Sequence, residues 1–472
     1  MLKLLVKFAL IMVICLISAC GQDYQAPYLA MPFNYKEAPK GWKFAEPRDT
    51  ENKGAWWTVF KDPYLDSLEQ KINISNQNVA QFVAQYQQAL ATIEATRASY
   101  WPTLSATASG IRSKQSANTN TTNKTSGSSI PINDFLLEPS LSWTPDLFGI
   151  IGQAVDADEA AAQASAAALA NTQLSIQSML AQTYFQLRSL DLVQKFLDDT
   201  VRAYSKSLKL VQNKYTAGVA SRLDITQAET QLQSTITQAL DNGILRAQYE
   251  HAIAVMIGEP PENFFIARNN TTFINPSIPI GVPSVLLERR PDIAQAERLM
   301  AQANAQIGLQ IAAYFPVLTL TGADGFSSTK YKNLISHSSN LWSIGAALAE
   351  TIFDGGARSA KIKGAQANYE QTVAFYKQTV LSALQDVEDN LVALRILDKE
   401  VKVQKLAVAS ATQGLQITMN QYNSGTAAYS DVITAQTTAY AAKQTAAAIT
   451  SRRMVAAVKL IQALGGGWEN SL

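Results

Sequence analysis

The sequence offers almost none of the side chains on which disulfides, metal centres and histidine-dependent catalysis depend. It has two cysteines, Cys15 and Cys20, both near the N-terminus, and two histidines, His251 and His337, that lie far apart and lack ligand spacing. We therefore expect no disulfide and no metal site. A nucleophile elbow and paired histidine and carboxylate groups are missing as well, so we predict that the chain is not an enzyme and takes no cofactor.

Neither charge nor hydrophobicity is concentrated along the chain. There are 39 basic and 38 acidic residues, without basic runs, which argues against nucleic acid as a partner. No apolar run reaches the roughly 18 residues that suggest a membrane-spanning helix. If the protein spans a membrane, it must do so as a closed barrel, because only helices and closed barrels satisfy every backbone group in lipid.

The N-terminal segment predicts a targeting signal followed by a lipid anchor. Lys3 and Lys7 precede a short apolar stretch at 8–17, and small residues then precede Cys20, as in a bacterial lipobox. We expect cleavage before Cys20, acyl groups on that cysteine and, because Gly21 rather than Asp follows, sorting to the outer membrane. Several acyl chains together anchor a protein firmly in lipid, at roughly 0.8 kcal/mol per buried CH₂. The alternative is an ordinary secretory signal with a coincidental cysteine.

Proline is missing from two long stretches, 146–259 and 317–472. Because proline in a helix interior costs about 3 kcal/mol, these stretches permit very long helices. The segment 152–216 would measure on the order of 100 Å as one helix. Its apolar residues alternate steps of four and three, the spacing of a coiled-coil seam: Leu197, Val201, Tyr204, Leu208, Val211 and Tyr215.

The chain is internally duplicated. A shift of 207 residues places Gly218 on Gly425 and Asp224 on Asp431, and upstream the offset slips by a few residues. Each half predicts a helix (65–99 or 284–313), a strand (104–111 or 318–326), a polar loop, a second strand (136–143 or 341–353) and two long helices joined by a glycine turn. The strands are mildly apolar, as in membrane barrels, but four are too few to close one. We therefore expect a barrel shared between subunits; the alternative is a small soluble sheet.

These observations predict the division of the chain. It comprises a signal peptide (1–19), a lipidated extended arm (20–61), a first repeat (62–259), a proline-rich linker (260–283), a second repeat (284–465) and a tail (466–472).

Five features of the sequence resemble those of a known family. The aromatic-Pro turns, the duplication and Phe353-Asp354-Gly355-Gly356 are similar to TolC-type outer-membrane efflux proteins. Two further motifs resemble its NodT/OprM-like lipoprotein branch. One is Trp56-Trp57 followed by Phe60, Asp62-Pro63, Leu65 and Leu68, and the other is Pro283-Ser284 through Leu287-Glu288-Arg289-Arg290-Pro291-Asp292-Ile293. The resemblance implies a mainly α protein with a β-barrel part: a homotrimer whose twelve-stranded outer-membrane barrel continues into a periplasmic α-helical barrel.

The resemblance also implies a function and partners. It implies the channel of a tripartite efflux pump, which takes drugs or other small molecules from an inner-membrane transporter and a periplasmic adaptor. The alternatives are an exit duct for protein secretion and a structural coiled-coil lipoprotein without a pore.

Functional residues implied by the resemblance cluster at the turns between the long helices. Gly218, Val219, Gly425 and Thr426 would contact the adaptor; the glycines could equally be plain helix C-caps.

A gate at the same turns is implied as well. Asp431 would form an acidic ring in the pore, and Asp224 would hydrogen-bond Tyr422 and hold the aperture shut. Thr434 stands where family members often have a second acid, and Ala427 where some have an arginine. The alternatives are helix N-capping for both aspartates and a coiled-coil layer for Tyr422.

Overall fold

The computed structural model describes residues 36, 54–114, 131–269, 276 and 289–466. The signal peptide, Cys20, most of the lipidated arm, part of the proline-rich linker and most of the tail lie outside the described residues. So does the first part of the motif that ends at Ile293.

The described residues of the first repeat form four α-helices and two strands. These are α1 (Pro63–Ser75), α2 (Gln77–Arg97), β1 (Thr103–Ser113), β2 (Ile132–Trp143), α3 (Ile150–Thr216) and α4 (Arg222–Met256). The helical stretch predicted over 65–99 is present but divided into two helices, because Asn76 interrupts it with an extended backbone. The Asn76 side chain accepts a hydrogen bond from the Val79 N–H at 3.0 Å and donates one to the Met256 carbonyl at 2.6 Å. It thereby caps α2 and joins it to the end of α4.

The second repeat has the same element order without that interruption among its described residues. It consists of α5 (Pro291–Ala312), β3 (Val317–Ser328), β4 (Asn340–Ala349), α6 (Ala357–Asn423) and α7 (Tyr429–Ala463). The matched helices α3 and α6 each have 67 residues, and α4 and α7 each have 35, so the duplication is confirmed. The strand predicted to reach Phe353 ends instead at Ala349. Beyond it, the Asp354 carboxylate accepts hydrogen bonds from the Gly356 and Arg358 N–H groups and forms a turn.

Two compact units can be distinguished. One comprises Gln87–Ala164 and Glu297–Phe375 and includes all four strands; the other includes Ser165–Ala296 and Tyr376–Leu472. The strands form one antiparallel sheet in the order β1-β2-β3-β4, so β1 and β4 lie at its edges.

The two faces of this sheet differ in polarity. The register pairs Leu104 with Leu141, Leu141 with Gly322 and Gly322 with Ile344, which places all four on one face. That face carries mainly apolar side chains: Leu104, Ala106, Ala108, Phe135, Leu137, Leu141, Trp143, Leu318, Leu320, Phe326, Trp342, Ile344 and Leu348. The other face carries mainly polar ones: Thr103, Ser105, Thr107, Ser109, Asp134, Glu138, Ser140, Ser142, Thr319, Thr321, Ser327 and Ser343.

The second unit is built around the tryptophan motif. Trp56, Trp57 and Phe60 are buried in a cluster with Tyr184 and Phe185 of α3. Asp62 begins α1 by accepting hydrogen bonds from two N–H groups of its first turn, and the Tyr184 hydroxyl donates to its second carboxylate oxygen at 2.6 Å. The motif is therefore a structural anchor in this part of the chain.

A buried ion-pair network ties the segment after α4 to the long helices. Arg246 of α4 pairs with Asp191 of α3 at 2.8 Å and with Glu250 at 2.5 Å, and Asp191 also pairs with Arg188 at 3.0 Å. Both arginines donate to backbone carbonyls of the following segment, at Ile266 and Ala267. This segment lies within the predicted linker, so the linker's beginning is packed against the first repeat.

Among the described residues, no helix combines the length and the apolar character that crossing a membrane requires.

Candidate functional site

The turns between the long helices have the same backbone geometry in both repeats. Gly218 and Gly425 have φ values of 77° and 79°, a conformation that favours glycine. The Val219 N–H donates to the Lys214 carbonyl and the Thr426 N–H to the Gln421 carbonyl, each at 2.9 Å. These bonds spanning five residues are those of a Schellman motif. We call residues 214–224 the first tip and residues 421–431 the second tip.

All four residues predicted to contact an adaptor lie on the surface of the tips. Gly218, Gly425 and Thr426 are exposed, and Val219 leaves 73 % of its surface open to solvent. The glycines do act as helix caps, as the alternative interpretation stated. Contact with an adaptor stays a prediction.

Both tip aspartates cap the returning helices. The Asp224 carboxylate accepts a hydrogen bond from the Ser221 N–H at 2.9 Å, and the Ser221 hydroxyl oxygen accepts one from the Asp224 N–H at 3.2 Å. Asp431 accepts from the Ala428 N–H at 3.2 Å, but Ala428 has no side chain with which to return the bond. Asp431 is exposed and Asp224 half-buried. The acidic ring needs several copies of the chain and stays a prediction.

The hydrogen bond predicted between Asp224 and Tyr422 is wrong for this structure. The Tyr422 hydroxyl is buried and has no hydrogen-bond partner among the described residues, because the Asp224 carboxylate is turned to its own helix start. Burial, and then the nearby charge of Asp224, raise the pKa of Tyr422. The two groups are therefore neighbours without being bonded.

Tyr422 is held instead by its ring. The ring lies 5.3 Å from that of Tyr429 in a tilted arrangement. Both belong to a buried cluster in which the ends of the long helices beside the two tips pack together: Val211, Ile225, Ala228, Tyr422, Tyr429 and Val432. Its counterpart Tyr215 is 43 % exposed, so the predicted seam ends at Val211 and the repeats differ here.

Lys214 is the tip residue that the sequence-based analysis missed. Its ammonium nitrogen lies 3.9 Å from the centre of the Tyr422 ring and donates a hydrogen bond to the Tyr422 carbonyl at 2.6 Å. One feature of the sequence could have identified Lys214: it is a lysine in the last turn of a predicted helix, a position that favours hydrogen bonds to the terminal carbonyl groups.

A second hydrogen bond joins the long helices of the two repeats further from the tips. The Gln436 amide of α7 donates a hydrogen bond to the Ser207 hydroxyl of α3 at 3.1 Å, and both residues are buried. In the part of the chain that the structure describes, no three His, Cys, Asp or Glu side chains are placed to hold a metal ion.

Comparisons with known proteins agree with this architecture. The family model "Outer membrane efflux protein" matches residues 68–259 and 282–466, which correspond to the two repeats. The cation efflux system protein CusC of Escherichia coli O6:H1 is 26% identical over 450 residues, covering 95% of each chain. The pyoverdine export outer membrane protein OpmQ of Pseudomonas aeruginosa is 29% identical over 441 residues, covering 92% of each.

A solved structure shows the same fold. The CmeC outer membrane channel of Campylobacter jejuni superposes with a TM-score of 0.87 at 23% identity, covering 96% of each chain. Because the family model matches most of the chain, in both repeats, the chain belongs to the outer membrane efflux protein family and is an outer-membrane component of an efflux system.

Proposed function

We propose that the protein is the homotrimeric duct of a tripartite efflux pump. It would pass small molecules, received from an inner-membrane transporter and a periplasmic adaptor, through the outer membrane, and it would close at the tips. The observation that carries the proposal is the two-faced sheet with open edges, whose strands are followed in the chain by helices of 67 residues.

The sheet has the properties of a barrel segment. One face is apolar, with Phe135, Phe326 and Trp342 toward the loop end and Trp143 at the other, as in the aromatic girdles of outer-membrane barrels. The opposite face is rich in Ser and Thr, which suits a wet lumen. Four strands cannot close alone, since about eight leave an interior just filled by side chains. Three copies would supply twelve strands and pair every β1 edge with a neighbour's β4 edge.

Helix α6 supports assembly independently of the sheet. Ile396, Val403 and Ile417 follow heptad spacing and are exposed, and Leu406 beside them is exposed as well. A stripe of this kind usually packs against another helix in a coiled coil. A neighbouring copy of the same chain would cover it.

The polar face of the sheet supports small-molecule cargo with a preference for cations. Its charged residues are Asp134 and Glu138, and the described strands place no basic side chain on that face. CusC is described as a cation efflux protein and OpmQ as a pyoverdine exporter, so similarity alone does not select one cargo. No observation favours protein export, and a pore-free coiled coil would leave the two-faced sheet without a role.

The lipid anchor at Cys20 remains part of the proposal on its sequence pattern alone. We expect the N-terminal peptide of the mature protein to begin at Cys20 and to carry acyl chains, which mass spectrometry of the purified protein measures. An unmodified N-terminus at another residue would contradict the anchor while leaving the duct unaffected.

Engineered disulfides test the shared sheet. Removing the signal leaves Cys20 as the one native cysteine, so a cysteine at Thr107 of β1 can be scanned against cysteines at Ser343, Gly345 and Ala347 of β4. β1 and β4 lie on opposite edges of one chain's sheet, so a bond between them links different chains. We expect oxidation to yield covalent trimers for at least one pair.

The control pair is Thr107→Cys with Glu138→Cys, which are opposite each other within one chain. This pair should form an internal bond and run as a monomer. Monomers at every β4 position, with the control bond formed, would contradict the shared barrel.

A further inference from the structure

The contact of Lys214 with Tyr422 joins the two tips through residues that are distant in sequence. Lys214 lies in the last turn of α3, and Tyr422 lies in the last turn of α6. The ammonium meets both the ring face and the backbone carbonyl of the same residue, at 3.9 Å and 2.6 Å. One cation therefore binds a single residue in two ways.

Both interactions are favourable at this position. The Tyr422 carbonyl accepts a hydrogen bond from the Gly425 N–H at 3.1 Å and has a second lone pair for the ammonium. It lies in the last helical turn, which carries the negative end of the helix dipole, so a lysine there is stabilising. A cation over an aromatic face adds to this attraction, more strongly where water is partly excluded. Tyr422 is buried and Lys214 is half-buried, so neither interaction is fully screened.

The contact between Lys214 and Tyr422 has no counterpart at the equivalent positions of the duplicated sequence. In the duplicated sequence, Lys214 corresponds to Gln421, and Tyr422 corresponds to the exposed Tyr215. The second tip has no equivalent cation to hold the first. Ala427 offers no arginine, and the Asp224 carboxylate is used by the Ser221 N–H.

We propose that Lys214 is a positioning residue of the gate, which latches the second tip to the first by its paired contacts with the ring and carbonyl of Tyr422. The proposal rests on the proposed function, since it identifies what keeps the duct closed. It assigns the role to the aromatic face of Tyr422 and none to its hydroxyl.

Single-channel conductance and hydrogen exchange of the full lipidated protein test the latch together. Lys214→Met removes the cation and keeps the length of the side chain, and we expect the open probability to rise about tenfold, which corresponds to about 1.4 kcal/mol. Amide exchange across residues 419–429 should accelerate with it. The matched control is Lys209→Met, which removes an exposed charge from the same helix and should change neither reading.

Conservative variants separate the latch from a general loss of structure. Tyr422→Phe keeps the ring and should remain closed. Tyr422→Leu removes the ring but leaves the backbone carbonyl bond, so it should open, but less than Lys214→Met does. Lys214→Arg should also stay closed. In the Tyr422→Leu background, Lys214→Met should raise the open probability by less than it does in the wild type, because the ring contact is already lost and only the carbonyl bond remains to be removed.

The outcomes distinguish the latch from the duct. Wild-type conductance and exchange in Lys214→Met would overturn the latch, as would opening by Tyr422→Phe, which would assign the role to the hydroxyl. Faster exchange in Lys214→Met without current in any variant would support the latch and contradict the duct.

Discussion

Glu69 of α1 is a carboxyl group with no compensation for its burial. Its side chain is fully buried, and neither oxygen has a hydrogen-bond partner among the described residues. Burial, followed by the charge of Asp66, raises the pKa of Glu69 well above its ordinary value of 4.5. The folded protein therefore favours the protonated acid, as expected for a carboxyl taken out of water without a partner.

The raised pKa of Glu69 predicts a pH dependence of stability. Protonation favours the folded state, so this contribution is fully present below about pH 4.5 and is lost as pH rises through the raised folded pKa. Glu69→Gln removes the titration, and the variant should gain thermal stability over the wild type at pH 8 but little at pH 4.5. Melting temperatures at both pH values measure this, with the exposed Glu94→Gln as the control. An equal difference at both pH values would contradict the raised pKa.

Gly258 is a second residue whose identity the structure requires. It follows α4 with a φ of 73°, and a Cβ there would lie 2.2 Å from the Ser75 carbonyl oxygen. Gly465 is its counterpart in the second repeat: it has a φ of 87°, and a Cβ there would lie 2.7 Å from the Arg289 carbonyl oxygen. In both repeats, the glycine allows the end of the returning helix to approach another backbone segment closely.

Substitution of Gly258 should therefore be costly. We expect Gly258→Ala to lower the free energy of unfolding by roughly 2 kcal/mol or more, because the strained φ and the steric clash act together. Gly414→Ala in α6 is the matched control: no atom lies within 4 Å of its Cβ, and alanine should stabilise the helix by about 0.5–1 kcal/mol. Denaturant unfolding of both variants gives the comparison. Equal stability of Gly258→Ala and the wild type would contradict this prediction and show that the two backbone segments can move apart.

Among the helices and strands, the long helices were predicted well from the sequence, whereas the break in the shorter helical stretch at 65–99 was not predicted. Helix α3 was expected over 152–216 and is found at Ile150–Thr216, because a proline-free segment with a coiled-coil seam leaves few alternatives. The break at Asn76 carried no proline or glycine. It depends on a hydrogen bond to Met256, 180 residues away, which no local pattern could reveal.

At the tips, too, the contacts between sequence neighbours were predicted and the contact between distant residues was not. Capping by Asp224 and Asp431 was foreseen as an alternative, since it needs only neighbours in sequence. The Tyr422 environment was not, because Lys214 lies 208 residues away. The family pattern suggested a bond to Asp224 that this chain does not form.

For the whole molecule, the two repeats and the family relationship support an outer-membrane efflux component, and we propose that the tip of its duct favours cations. Three copies of Asp431 would focus negative potential at the aperture. Asp431→Asn keeps an acceptor for the Ala428 N–H but removes the charge, so we expect the permeability ratio of K⁺ to Cl⁻ to fall at least twofold. Reversal potentials in a salt gradient measure this ratio. Glu229→Gln, on exposed α4 surface, is the control, and an equal fall in both variants would assign the selectivity to overall charge.

The most direct test of the account is single-channel recording of the purified wild-type trimer in a planar bilayer. We expect a small, cation-preferring current, because in the proposed duct the packed cluster around Tyr422 would hold the tips closed. We expect a larger current when Lys214→Met releases them. The duct would be contradicted if the folded trimer carried no current, and if Lys214→Met carried none either although its tip amides exchanged faster. That result would favour a structural lipoprotein without a pore.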